Sequence, residues 1–213
     1  MKTDDLIAML AAGGGAVDAR APRRRFAHAL GWGGISALLL MAVLMGVRSD
    51  LPVMASEPMF WTKLAYCAAL AVAALVLAAR MARPGARAAG WSMALVLPLL
   101  AMWLLAALAL NGATGAERDA LVFGTTWRAC AFSIALLSLP LFAGFLWAMR
   151  GLAPTRPALA GATAGFLSGA AAALIYSLHC PELGAPFLGI WYPLGMLIPA
   201  AAGAIIGPRT LRW

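Results

Sequence analysis

The sequence predicts an all-α polytopic membrane protein, a bundle of six transmembrane helices with a short amphipathic helix at its N-terminus. Three observations carry the prediction. Of the 213 residues, 63% are hydrophobic and only 11% charged, with a mean hydropathy of +0.87, whereas soluble domains are about 45–50% apolar and about 25% charged. The apolar residues gather in six runs of about twenty without period-two alternation, which selects helices over barrel strands. The cations segregate between alternate connections, as they do in a chain threaded back and forth through a bilayer.

Residues 1–27 form a polar tail, expected to be cytoplasmic. Thr3, Asp4 and Asp5 supply an N-cap and two carboxylates at a helix start, where free amides and the helix dipole favour negative charge. Leu6, Ile7, Met9 and Leu10 then line one side of a short helix that stops at Gly13-Gly14-Gly15. So short a helix is marginal in water, and its apolar side calls for a partner or the bilayer surface to order it. The alternative is a start without order of its own that merely precedes the membrane. Arg20, Arg23, Arg24 and Arg25 mark the membrane entry. No small-residue cleavage site follows the first apolar run, so that run is expected to stay as an anchor.

The six runs cover about residues 28–47, 59–79, 90–110, 127–149, 158–178 and 190–207, within a membrane domain of residues 28–213. Each approaches the length that crosses about 30 Å of hydrocarbon at 1.5 Å per residue. The last is short and carries Pro193 and Pro199, which predicts a kink. Pro98 and Pro140 predict further kinks, at which neighbours must satisfy the freed carbonyls.

Lys2, Arg20, Arg23, Arg24, Arg25, Arg80, Arg83, Arg87, Arg150, Arg156, Arg209 and Arg212 fall on one side of this threading, and only Arg48, Lys63, Arg118 and Arg128 on the other. Twelve cations against four place both termini in the cytoplasm, and an even number of spans preserves the segregation. The net charge of +8 is thereby absorbed by membrane orientation, and no direct nucleic-acid partner is expected. Gly161, Gly165 and Gly169 recur every fourth residue on the fifth run, a face for close helix packing or for a homodimer, and Gly203 and Gly207 repeat the spacing on the sixth. Trp61, Trp91, Trp127, Trp147 and Trp191 lie near run ends, where amphipathic rings suit the headgroup zone, so no cofactor site is built from them.

The spans carry almost no ionisable residues. Lys63 and Arg128 lie near outer ends, from which long side chains are expected to reach water. A proton relay, a coupled ion site or a midplane acid–base pair lacks its residues, which argues against a secondary transporter or an intramembrane hydrolase. Three cysteines remain. Cys67, among alanines and leucines, reads as a small hydrophobe without a role. Cys130 lies about one turn inside the fourth run and Cys180 opens the loop before the sixth, so both end on the outer face. Arg128 and His179 stand beside them in sequence and lower a thiol's pKa if they turn towards it. His179, Cys180 and Cys130 with Glu182 also make a soft-metal set. A redox- or metal-responsive pair, a structural disulfide and two idle thiols stay open from the residues alone. The competing functions are a periplasm-facing membrane thiol-disulfide oxidoreductase, disfavoured by the lack of a Cys-x-x-Cys, and a small transporter using its proline-broken helices.

The opening Met1–Ile7, the central Thr126-Trp127-Arg128-Ala129-Cys130, the loop 152–157, Leu178-His179-Cys180-Pro181-Glu182, Trp191-Tyr192 and the terminal Leu211-Arg212-Trp213 together resemble the NrsF-like proteins. These are bacterial inner-membrane anti-sigma factors with six spans. The resemblance runs through the whole chain. It implies a protein, without a cofactor, that holds an extracytoplasmic-function sigma factor at the membrane until oxidative or heavy-metal stress arrives. It further implies two cysteines tied to that signal, at the matching positions Cys130 and Cys180. The residues Asp4 to Leu10 are the candidate sigma-binding segment.

Overall fold

The computed structural model describes residues 3–13, 20–83 and 92–212. Lys2, Arg87, Trp91 and Trp213, and the side chains of Leu6 and Leu10, lie outside what is described. The described residues are helical, without strands, and run as α1 (Thr3–Gly13), α2 (Ala21–Leu44), α3 (Leu51–Met54), α4 (Pro58–Met81), α5 (Ser92–Asn111), α6 (Gly115–Phe123), α7 (Trp127–Arg150), α8 (Pro157–Tyr176) and α9 (Ala185–Thr210). Six helices, α2, α4, α5, α7, α8 and α9, are long and apolar enough to cross a membrane. Trp32, Val43, Leu97, Leu104, Leu108 and Phe132 point outwards from them, an exterior suited to lipid.

Several boundaries differ from the sequence reading. Helix α2 starts at Ala21, with Pro22 in its first turn, so Arg23, Arg24 and Arg25 are helical rather than part of a tail. Helix α9 starts at Ala185, with Gly184 extended before it and Pro186 in its first turn, so the expected short last span is 26 residues long. It continues through Pro193, Pro199 and Pro208. Proline at 193 removes the amide that would bond the Gly189 carbonyl, and the Trp103 indole of α5 donates to that carbonyl at 2.9 Å. Helix α6 was hidden in a loop. Thr114 and Glu117 form its capping box, Glu117 accepting from the Thr114 amide and hydroxyl at 2.8 Å.

Helix α8 is the centre of the bundle, packed on α9, α7 and α4, whereas α5 lies at the edge. Its buried side is almost all Ala, Gly and Ser, so neighbouring backbones come close. Gly161 faces the Gly203 carbonyl, Gly165 the Pro199 carbonyl, and a Cβ on Gly169 would lie 2.7 Å from Met196 Cα. Helix α9 therefore occupies the glycine face within the same chain, and a homodimer would need another surface. At the α2–α7 crossing, a Cβ on Gly33 would lie 2.8 Å from Leu141 Cα.

Candidate functional site: a buried thiol and lysine latch

The connections α2–α4, α5–α7 and α8–α9 meet at one end of the bundle, opposite the arginine-rich end. There α8 is followed by one further turn, with the His179 and Cys180 amides bonded to the Tyr176 carbonyl at 2.9 and 3.0 Å. Pro181 then turns the chain into an extended stretch that reaches Gly184. This 177–184 loop lies across the ends of α4 and α7.

Four side-chain interactions fix it. The Cys180 thiol is buried beside the Cys130 thiol of the first turn of α7, and both cysteines are free. Lys63 of α4 is fully buried, its Nζ donating to the Cys180 carbonyl at 2.8 Å and to the Glu182 carbonyl at 3.1 Å. The Glu182 carboxylate accepts from the Thr125 amide and hydroxyl at 2.7 Å and from the Thr126 amide at 3.2 Å. The His179 ring donates from Nδ1 to the Gly46 carbonyl at 3.0 Å. Tyr192 lies beneath the Lys63 ammonium, 5.5 Å from ring centre to Nζ. Its hydroxyl is buried near Ser177 and Cys180 without a hydrogen bond of ordinary geometry.

Glu182 acts as a borrowed N-cap. Thr126, at the N-cap of α7, makes no side-chain cap bond of its own, and the carboxylate from the other loop accepts its amide and that of Thr125 before it, at the positive end of the helix. Gly124 makes room for it. Its φ is +53°, and a Cβ there would lie 2.5 Å from the Glu182 carboxyl carbon. Gly124→Ala combines backbone strain with eviction of the carboxylate and should cost about 1–3 kcal/mol. Thermal unfolding of the purified chain reads this directly, and an unchanged midpoint would refute the borrowed cap.

The electrostatics of Cys180 follow from these neighbours. The Cys130 thiol hydrogen bond, and then the Lys63 ammonium, hold the Cys180 thiol below the usual thiol range, against the opposing effect of burial. Thiolate character, with a second thiol alongside, suits disulfide formation or ligation of a soft ion.

The sequence pointed to the two sulfurs but misassigned their neighbours. Arg128 is exposed and stacks over Trp127, 5.1 Å from the ring centre, so it does not face Cys130. His179 turns to Gly46 and Glu182 to α7. The soft-metal set of His179, Cys180, Cys130 and Glu182 is therefore not assembled, and no group of three such side chains is placed to hold a metal among the described residues. Lys63, expected to reach water, points inwards instead. Cys67 is buried with its sulfur 3.9 Å from the Ser177 hydroxyl, on the margin of the same cluster. At the far end of the chain, α1 forms over Thr3–Gly13 with Asp4, Asp5, Ile7 and Met9 exposed.

Fold and site together define a polytopic six-helix protein closed at one end by a thiol and lysine latch. A family model described as "Negative regulator of sigma F", NrsF, matches residues 10–213. Over 213 residues, all of both chains, the protein is 54% identical to the "Probable anti-sigma-F factor NrsF" of Azospira oryzae. It is 41% identical over 221 aligned positions, again all of both chains, to the "Anti-sigma-F factor NrsF" of Caulobacter vibrioides. The chain belongs to the NrsF family of negative regulators of sigma F. Its relatives are regulators rather than enzymes, which sets aside the thiol-disulfide oxidoreductase. No solved structure matches the chain.

Proposed function

We propose that the protein sequesters an extracytoplasmic-function sigma factor of the sigma F type at the bacterial inner membrane. In this reading both termini are cytoplasmic, α1 holds the sigma factor, and oxidative or heavy-metal stress reaching Cys130 and Cys180 from the periplasm releases it. The names of the relatives support the partner, and the arginine bias supports the orientation. The single observation that carries the sensor is the contact of two unlinked thiols, one on α7 and one on the loop joining α8 to α9. A bond between them, or a soft ion across them, adds a direct sulfur tie between two elements otherwise joined by hydrogen bonds and packing. Such an event moves the bound–released equilibrium only by the difference in its stability between the two states. Shifting the ratio from 1:99 to 99:1 takes about 5.5 kcal/mol.

Replacing Cys130 and Cys180 together by serine is expected to uncouple release of the sigma factor from diamide and from a soft divalent ion. A reporter driven by the sigma factor gives the readout in cells. A serine variant that still responds at the wild-type level removes the thiols from the mechanism.

A further inference from the structure

Lys63 is a buried lysine whose hydrogen bonds go to two carbonyls of one loop, those of Cys180 and Glu182. The carboxylate nearest in sequence to those carbonyls, Glu182, is turned onto Thr125 and Thr126. Neutral carbonyls and a tyrosine ring offset only part of the cost of burying an ammonium, which calls for an anion. The ionisable groups acting on this position are Cys67 on α4 itself, Cys130 on α7, Cys180 on the loop, Tyr192 on α9 and Arg48 on the α2–α3 connection. Tyr176 of α8 and Glu182 complete the surroundings of the sulfurs. Arg48 repels the ammonium, and a tyrosine carries no charge near neutral pH. That leaves a cysteine sulfur, and of the three Cys180 belongs to the residue whose own carbonyl Lys63 binds.

We propose that Lys63 is the buried counter-ion of an anionic Cys180 sulfur, and the positioning residue that couples the charge on that sulfur to the placement of the 177–184 loop. The proposal rests on the reading of Cys130 and Cys180 as the sensor, and supplies the element that converts their chemistry into movement. With a small disulfide RSSR as oxidant, the Cys180 thiolate attacks one sulfur and expels RS⁻. Cys130 then gives up its proton and attacks the Cys180 sulfur, expelling the second RS⁻. Two electrons pass from the protein to RSSR, which leaves as RS⁻ and RSH, and the negative charge is gone from the site. Lys63 is then an uncompensated cation facing carbonyls. It either reaches water or loses its proton, and in both cases its hold on the Cys180 and Glu182 carbonyls weakens.

The test uses the purified full-length chain in detergent and N-ethylmaleimide, which forms a bond from its ring carbon to the cysteine sulfur. Alkylation at Cys180 is followed by peptide mass spectrometry from about pH 5 to 9. An ordinary thiol gains about tenfold in rate per pH unit below its pKa. Wild-type Cys180 is expected to vary by less than about threefold between pH 6 and 8, Lys63→Met to fall at least about tenfold at pH 6, and Lys63→Arg to keep a flat profile. Lys63→Met also strips two carbonyls of their donor, so the wild-type profile is the arm that stands without any variant. An ordinary slope in wild type overturns the proposal, as does a folded Lys63→Met chain with the wild-type profile.

Amide hydrogen exchange of residues 177–184 tests the coupling. Cys180→Ser, a neutral residue of similar size, is expected to speed exchange at least about tenfold over wild type, with little further gain when Lys63→Met is added. Exchange at the wild-type rate in Cys180→Ser overturns the link. If the flat profile is found while the serine pair still answers stress in cells, the counter-ion stands and the sensor reading fails.

Discussion

Deleting residues 1–12 should abolish capture of the sigma factor while leaving the membrane bundle folded. Helix α1 is 11 residues long, too short to be stable alone in water, and its first turn carries Asp4 and Asp5. Ile7 and Met9 are each 59% exposed, so much of their apolar surface is open to a partner among the described residues. Sigma factors have basic nucleic-acid-binding surfaces, and an acidic helix with apolar anchors matches a groove on such a surface in charge as well as shape. Anchors at the centre of an interface contribute about 2 kcal/mol or more each, so losing both apolar residues and both carboxylates should weaken binding by a factor of about a thousand or more. Among the described residues, the main interhelical packing involves α2 and α4 through α9. Co-purification of the sigma factor from membranes, with gel filtration of the deleted chain as the folding control, decides the matter. The narrower pair Ile7→Ser with Met9→Ser should lose most of the binding. Full retention by the deleted chain would move the binding surface to the connections carrying Arg80 or Arg150.

Gly165→Val is expected to be the most damaging single substitution in the bundle. A Cβ at this position runs into the Pro199 carbonyl, 2.5 Å from its carbon and 2.8 Å from Ala200 Cα, so the obstruction is main chain with no rotamer to yield. Overpacking usually costs about 1–3 kcal/mol and occasionally more. Here the upper end applies, because Gly161 and Gly203 abut each other's carbonyls one turn away and the seam can separate only as a whole. Loss of the monodisperse folded species in detergent is the expected outcome. Gly31→Ala is the control: nothing lies within 4 Å of its added Cβ, and alanine is the better helix former. A Gly165→Val chain with the wild-type unfolding midpoint would refute the tight seam.

How much of this was legible depended on the kind of signal. The spans followed from runs of hydrophobicity, and the glycine spacing on α8 was visible because packing without side chains leaves a periodic trace. Boundaries at α2 and α9 slipped because arginines and prolines at a helix start look like loop residues, although proline is at home in a first turn. The capping box at Thr114 and Glu117 has a readable Thr-x-x-Glu signature, which marks a helix start inside a polar connection. The neighbours of the thiols were misread for a geometric reason. Arg128 lies two residues before Cys130 and His179 one before Cys180, and residues so spaced do not face each other on a helical turn. The true partner, Lys63, comes from 117 residues away, and a lysine near a span end looks the same in sequence whether it reaches for water or for two carbonyls inside.

The backbone seam between α8 and α9 also has a mechanical meaning. Two helices that touch through interlocking side chains can slide, because rotamers rearrange to let one row pass another. Where carbonyls rest on glycine Cα atoms there are no rotamers to spend, and the pair answers a push at its shared hairpin as a single lever. A displacement of the 177–184 loop would therefore act on both rods together, whose far tips lie beside Arg156 and Arg209.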